Sequence, residues 1–165
     1  MKAAIIIVII LGVTYMVMPR AVRSNNPLNI RISSRNDWEG ELPAALNKAV
    51  DNSFESFYRP SSGYRAATIL IRNYQKFYGD NTIKRIIERF APPTNDIGEF
   101  ENHTDSYIAS VARDLSLPTT QPLNLFDDEL MTRLLVAMHK VEAGGVWFGE
   151  RLARAGVEQA NKRYA

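Results

Sequence analysis

Glu142 is the residue whose type and position best suit chemistry. It ends a stretch, Phe126–Glu142, that reads FDDELMTRLLVAMHKVE and is followed by Ala143, Gly144 and Gly145. Leu130, Met131, Leu134, Leu135, Met138 and Val141 recur at three- and four-residue steps, which predicts a helix with one core-facing stripe. Asp127 or Asp128 can cap its start, and Gly144–Gly145 offers the left-handed turn that stops it. Glu142 stands four residues after Met138 and seven after Leu135, so the spacing puts it on the apolar stripe. A lone glutamate at a helix end is more often a surface residue, and its position on the stripe argues against that. Partial burial and the negative end of the helix dipole both favour the neutral acid. A carboxyl held protonated near neutral pH is what general acid catalysis requires.

Other residues could serve a polar ligand. Asn25, Asn26 and Asn29 lie in a turn-rich segment around Asn26-Pro27 and read either as loop architecture or as amides that hydrogen-bond a sugar. Trp38 reads equally as core or as a stacking platform for a sugar ring. Its neighbours Asp37, Glu39 and Glu41 are candidate second carboxylates, and the Trp38–Glu41 stretch is the fallback for the catalytic site itself.

Composition removes several classes of function. The 165 residues contain no cysteine and two histidines, His103 and His139, so thiol chemistry and thiolate metal sites are excluded and a histidine-based zinc site is disfavoured. No metal and no cofactor is expected. A net charge of +2 without a Lys/Arg run or basic–aromatic strip gives no nucleic-acid footprint. The length allows one domain with a core and a short appendage.

The appendage is the N-terminus. Ala3–Met18 is uncharged and apolar, with five isoleucines in AIIIVIILGVTYMVM and no polar face. At 1.5 Å per residue it spans about 24 Å, somewhat short of a hydrocarbon core of about 30 Å. Val-Met-Pro-Arg offers no small-residue cleavage site. A transmembrane anchor over residues 1–20 is therefore predicted, with the soluble domain over 21–165. Basic residues on both flanks leave its orientation open.

Along the domain, short strands are predicted at Leu28–Ile32 and Ser53–Tyr58, and weak helical character at Glu41–Asp51 is interrupted by Pro43. Helices are predicted at Gly63–Tyr78 (capped by Ser61 or Ser62, with Ala66, Ile69, Leu70, Asn73, Tyr74 and Phe77 on one side), Thr82–Phe90 (capped by Asn81) and Asp105–Leu115 (capped by Thr104). Two short helices, Phe148–Ala155 and Val157–Tyr164, follow the Glu142 helix.

Several pieces in this order resemble a family of phage and prophage proteins with a lysozyme-like fold, some of them structural proteins of membrane-containing virions. They are Asn25-Asn26-Pro27-Leu28-Asn29-Ile30-Arg31, Trp38-Glu39-Gly40, Phe54 with Phe57, and Gly63-Tyr64-Arg65-Ala66. Tyr74, Asn81-Thr82, Phe90-Ala91-Pro92-Pro93, Asn102 with Thr104, Tyr107-Ile108 and the Glu142 helix follow. The first half is also similar to the stretch after the catalytic glutamate of bacterial glucosaminidases. There, and in lytic transglycosylases, the glutamate helix precedes this stretch; here it lies at the far end, which implies a circular permutation. The family's His-Glu-Asn-Gly becomes Val141-Glu142-Ala143-Gly144, with His139 three residues before the glutamate. Asn102-x-Thr104-x-x-Tyr107-Ile108 is similar to the Thr-x-x-Tyr-Val signature of transglycosylases, whose tyrosine lies near the glutamate.

The resemblance implies a mainly α, lysozyme-like helical domain with a small β element near its start, besides the transmembrane helix. It implies a peptidoglycan-cleaving enzyme, lytic transglycosylase or glycoside hydrolase, in which Glu142 and Tyr107 are catalytic. Asn25, Asn26, Asn29, Trp38, Glu39, Thr104 and His139 would then bind substrate. The implied partners are glycan strands, a virion internal or host inner membrane facing the periplasm, and other virion membrane or capsid proteins. A non-catalytic virion protein that only binds glycan is the alternative. Asn26 to Ile30 should then lie near Glu142, more than a hundred residues away in sequence.

Overall fold

The computed structural model describes residues 18–94, 98 and 102–164. Seven helices stand among them: α1 (Arg20–Arg23), α2 (Ala44–Val50), α3 (Pro60–Tyr78), α4 (Ile83–Phe90), α5 (Thr104–Leu115), α6 (Asp128–Glu142) and α7 (Glu150–Asn161). The mainly helical class is as the sequence predicts. The transmembrane helix is not: among the described residues no helix is long and apolar enough to cross a membrane. Residues 1–17 of the predicted anchor lie outside the described residues. At the end of its range that is described, Pro19 is extended, with a ψ of 147°. Arg20 then opens a four-residue helix that carries two arginines.

The five longer helices close a ring in space, α3 to α7 to α6 to α5 to α4 and back to α3, and α3 also touches α6 across it. Pro60 starts α3 with its φ already set for a helix, and Gly79, at φ 73°, ends it in the left-handed conformation. The start is three residues earlier than Ser61 or Ser62 capping predicts. Phe77, placed inward by the sequence pattern, is exposed, while Thr68 and Arg72 are buried. Arg72 is stabilised there by polar partners. Its Nε donates to the Leu125 carbonyl at 2.9 Å and its Nη1 to Asn161 at 2.8 Å, and Asp128 lies 3.5 Å from Nη2. One buried cation thus ties α3 to the start of α6 and the end of α7.

Thr82, not the predicted Asn81, caps α4 by accepting from the Arg85 N–H, while Asp127, one of the two predicted caps, caps α6 by accepting from the Leu130 N–H. Thr104 is the first residue of α5, and its hydroxyl donates to the Ala91 carbonyl at 2.7 Å. The small β element is reduced to isolated antiparallel bridges, Arg31 with Phe54 and Glu41 with Phe57. Segment 53–58 pairs at its start with 30–32 and at its end with 40–42.

The two predicted terminal helices are one, because the chain stays helical through Gly156. That glycine sits where α7 crosses α3: a Cβ on it would lie 2.5 Å from Tyr64 Cβ and 2.8 Å from the backbone of Arg65 and Ser61. Gly156→Ala gains about 1 kcal/mol of helix propensity but overpacks a contact whose partners are backbone, at a cost of about 1–3 kcal/mol. Urea unfolding is expected to show a net loss of stability. A variant as stable as the parent would mean the two helices can part freely.

Candidate functional site

Glu142 is the last residue of α6, where the helix carbonyls present their negative end. Its half-buried carboxyl sits between two openings. A cleft of about 430 Å³ is lined by Asn29, Arg31, Phe54, Tyr74, Asn102 and Glu142 among others. A second, of about 310 Å³, is lined by Asn102, Ser106, Tyr107, Ser110, Val141 and Glu142. Glu142 and Asn102 border both, so the two clefts adjoin at these residues. That volume is in the range of small-ligand clefts.

Asn29 Nδ2 holds the carboxyl, donating to Glu142 Oε2 at 2.8 Å across 113 positions of sequence; the Tyr107 hydroxyl, which donates to the Met138 carbonyl at 3.4 Å, stands nearby and favours the carboxylate. Burial raises the Glu142 pKa above the ordinary carboxylate value of 4.5, against the lowering influence of Asn29, Tyr107 and the charge of Arg20. Tyr107 is pushed well above 10, chiefly by burial and then by the adjacent Glu142 charge, so it stays a neutral phenol. The Asn29 amide oxygen is buried and without a partner. Rotating that amide by 180° would offer it as acceptor to the protonated acid, so Asn29 can serve both states of Glu142.

The turn that brings Asn29 here is built by its other asparagines. Asn26 is fully buried; its amide donates to the Ile30 and Glu55 carbonyls, and its oxygen accepts from the Ile30 N–H, all at 2.9 Å. Asn25 donates to the Phe57 carbonyl at 3.0 Å. Asn25 and Asn29 both have φ near 50°, a left-handed geometry that asparagine tolerates better than most residues. Gly63 lets α3 approach this turn, since a Cβ there would lie 2.4 Å from the Asn25 carbonyl oxygen. His139 closes the arrangement. Its ring is fully buried, Nδ1 bonds the Pro27 carbonyl at 2.9 Å, and Nε2 accepts from the Trp147 and Phe148 N–H groups. Two donors on Nε2 require the proton on Nδ1, and burial lowers the pKa so the ring stays neutral.

The predicted site residues thus divide. Glu142, Asn29 and Tyr107 come together at these clefts. Asn25, Asn26, Thr104 and His139 surround them and spend their polar atoms on backbone groups. Trp38 is buried in the core, Glu39 pairs with Arg65 at 2.7 Å, and Glu41 accepts from the Trp38 N–H at 3.0 Å. None of these three, nor Asp37, lines the Glu142 cleft. The sequence reading passed over Arg20, Arg31 and Asn36, which do line it. Arg20 read only as a flanking charge of the apolar segment, and the other two had no spacing signal. Among the described residues no cluster of His, Cys, Asp and Glu could hold a metal ion.

Fold and site together define a small helical domain in which a carboxyl near the C-terminal end of the chain, its pKa raised by burial, meets the Asn-rich turn near the N-terminal end. Over 127 residues the chain is 39% identical to Protein P5 of Pseudoalteromonas phage PM2, a match that covers 76% of this chain and 71% of that protein. The chain belongs to the family of this bacteriophage protein. No family model matches it.

His139→Leu would leave the Pro27 carbonyl and two N–H groups unpaired, and should cost about 2–5 kcal/mol at pH 8. Because the folded state lowers the His139 pKa, the unfolded chain takes up the proton first on acidification. The His139 contribution is therefore full above the ordinary value of 6.5 and falls as pH drops below it. Chemical denaturation of both proteins should show the gap between them narrowing below that pH. A gap that widens on acidification would contradict the neutral-ring assignment.

Proposed function

We propose that this chain is a phage virion protein that cleaves the glycan strands of peptidoglycan, with Glu142 as general acid, to open the cell wall during genome delivery or lysis. The observation that carries the reading is the Glu142 carboxyl, held beside a cleft by Asn29 at 2.8 Å with its pKa raised by burial. An acid bordered by two open clefts suits a polymer that must extend past the bond being cut. Kinship with a phage protein suits a bacterial target, and the motif resemblance to lysozyme-like proteins suggests its glycan as the substrate class.

In this reading Glu142 gives its proton to the glycosidic oxygen as the bond to the anomeric carbon breaks and oxocarbenium character develops. Asn29 and Tyr107 then stabilise the carboxylate left behind. Among the described lining residues Glu142 is the one carboxyl. This favours a transglycosylase over a hydrolase. The muramyl C6 hydroxyl attacks the anomeric carbon and its proton returns to Glu142, which leaves a 1,6-anhydro end.

Glu142→Gln keeps the shape of the side chain but cannot donate the proton. Muropeptide release from purified sacculi should drop on the order of a hundredfold to ten-thousandfold, with the melting temperature unchanged or slightly raised. Glu39→Gln and Glu41→Gln should retain most activity, and mass spectrometry should find anhydro ends. An active Glu142→Gln protein would remove Glu142 as the acid. Binding of sacculi by the wild type without any release would favour a glycan-binding virion protein instead.

A further inference from the structure

The wall of the larger cleft continues along α3 beyond the part that encloses it. Leu70 and Tyr74 line that cleft and stand four residues apart, on one face of the helix. Tyr78 is the next residue of this stripe, about 6 Å further along the axis. It ends α3, just before Gly79, and is 58% exposed, with Phe77 beside it at 64%. Arg89 joins the two tyrosines. Its guanidinium lies 3.7 Å from the centroid of the Tyr78 ring and 5.8 Å from that of Tyr74. The buried Asp80 carboxylate holds Arg89 through its Nε.

An exposed tyrosine is ordinary surface in most places. Tyr78 differs in two respects: a clamped cation fixes the position of its ring, and the ring extends the wall of a cleft that holds a candidate acid. A fixed aromatic face gains contact area at little entropic cost on binding. It suits a flat ligand with C–H groups on one face and hydroxyls at its edge, with which the phenol hydroxyl can pair. We propose that Tyr78, flanked by Phe77, is a distal sugar-binding subsite, on which a pyranose ring of a strand lying in the Glu142 cleft stacks. The subsite rests on the peptidoglycan reading and adds to it a length requirement. A ligand too short to run from Glu142 past Tyr74 to the end of α3 forgoes the contact. Neutral pyranose faces are the chemistry recognised, so the selection is for strand length and not for charge.

The test is calorimetric titration of the full chain carrying Glu142→Gln, which prevents cleavage during the measurement. The ligands are the GlcNAc–MurNAc disaccharide and its tetrasaccharide and octasaccharide. Affinity should rise about tenfold or more from disaccharide to octasaccharide, the scale of one aromatic contact. Tyr78→Ala in the same background should remove most of that gain and leave disaccharide affinity unchanged, with the fold kept by circular dichroism. Tyr78→Phe, which retains the ring, should keep the gain. Affinity independent of length, a gain that survives Tyr78→Ala, or no binding of any ligand would overturn the inference. So would a dimer of the wild type that Tyr78→Ala dissociates with the length gain intact, which assigns the surface to a second copy of the chain. Sacculus cleavage by the wild type with no Tyr78-dependent length gain defeats the subsite alone. A Tyr78-dependent gain without cleavage defeats the enzymatic reading alone.

Discussion

The contact between His139 and the Pro27 carbonyl is the constraint on which the site depends. It spans 112 positions and joins the Asn-rich turn to the last turn of α6. Without it, nothing in the local sequence obliges Asn29 to face Glu142. The ring also receives the Trp147 and Phe148 N–H groups, stacks on Phe148 at 5.3 Å and meets Tyr64 edge-on. One neutral imidazole thus fixes three segments at once, with every polar atom satisfied. A buried polar group in that state favours a single arrangement, because any alternative leaves donors and acceptors unpaired.

Glu142 is set by opposing effects of similar kind. Burial and the end of α6 favour the neutral acid; Asn29, Tyr107 and the Arg20 charge favour the carboxylate. Burial is the largest, so the proton is retained beyond the ordinary carboxylate range. The opposing groups have a use of their own in an acid catalyst, since the carboxylate formed on proton donation needs stabilising. Arg20 also lines the cleft, so the charge that favours the carboxylate sits at its wall.

Much of this was legible in the sequence. The α6 stripe marked Glu142, because a helical period fixes which residues share a face whatever they pack against. The three asparagines before and after Pro27 marked the turn, but composition could not say which amide faces the cleft. That depends on the left-handed geometry at Asn25 and Asn29 and on the absence of a Cβ at Gly63, neither of which a spacing rule contains. Trp38 and Glu39 illustrate the opposite failure. Their types suit sugar binding, yet one fills the core and the other pairs with Arg65, choices made by packing across long sequence separations. Most of the N-terminal expectation lies outside the described residues; within them Pro19 takes extended geometry and Arg20 opens a short helix. The same arginine then turned out to line the cleft.

The account stands on Glu142 as a buried acid poised by Asn29. Its carboxyl can be followed directly by carbon-13 NMR of selectively labelled glutamate, assigned by the spectrum of the Glu142→Gln protein. The account requires a titration midpoint above 4.5, displaced further upward in Asn29→Ala, where the hydrogen bond that favours the carboxylate is lost. A midpoint at or below 4.5, or one that Asn29→Ala leaves unmoved, would contradict it.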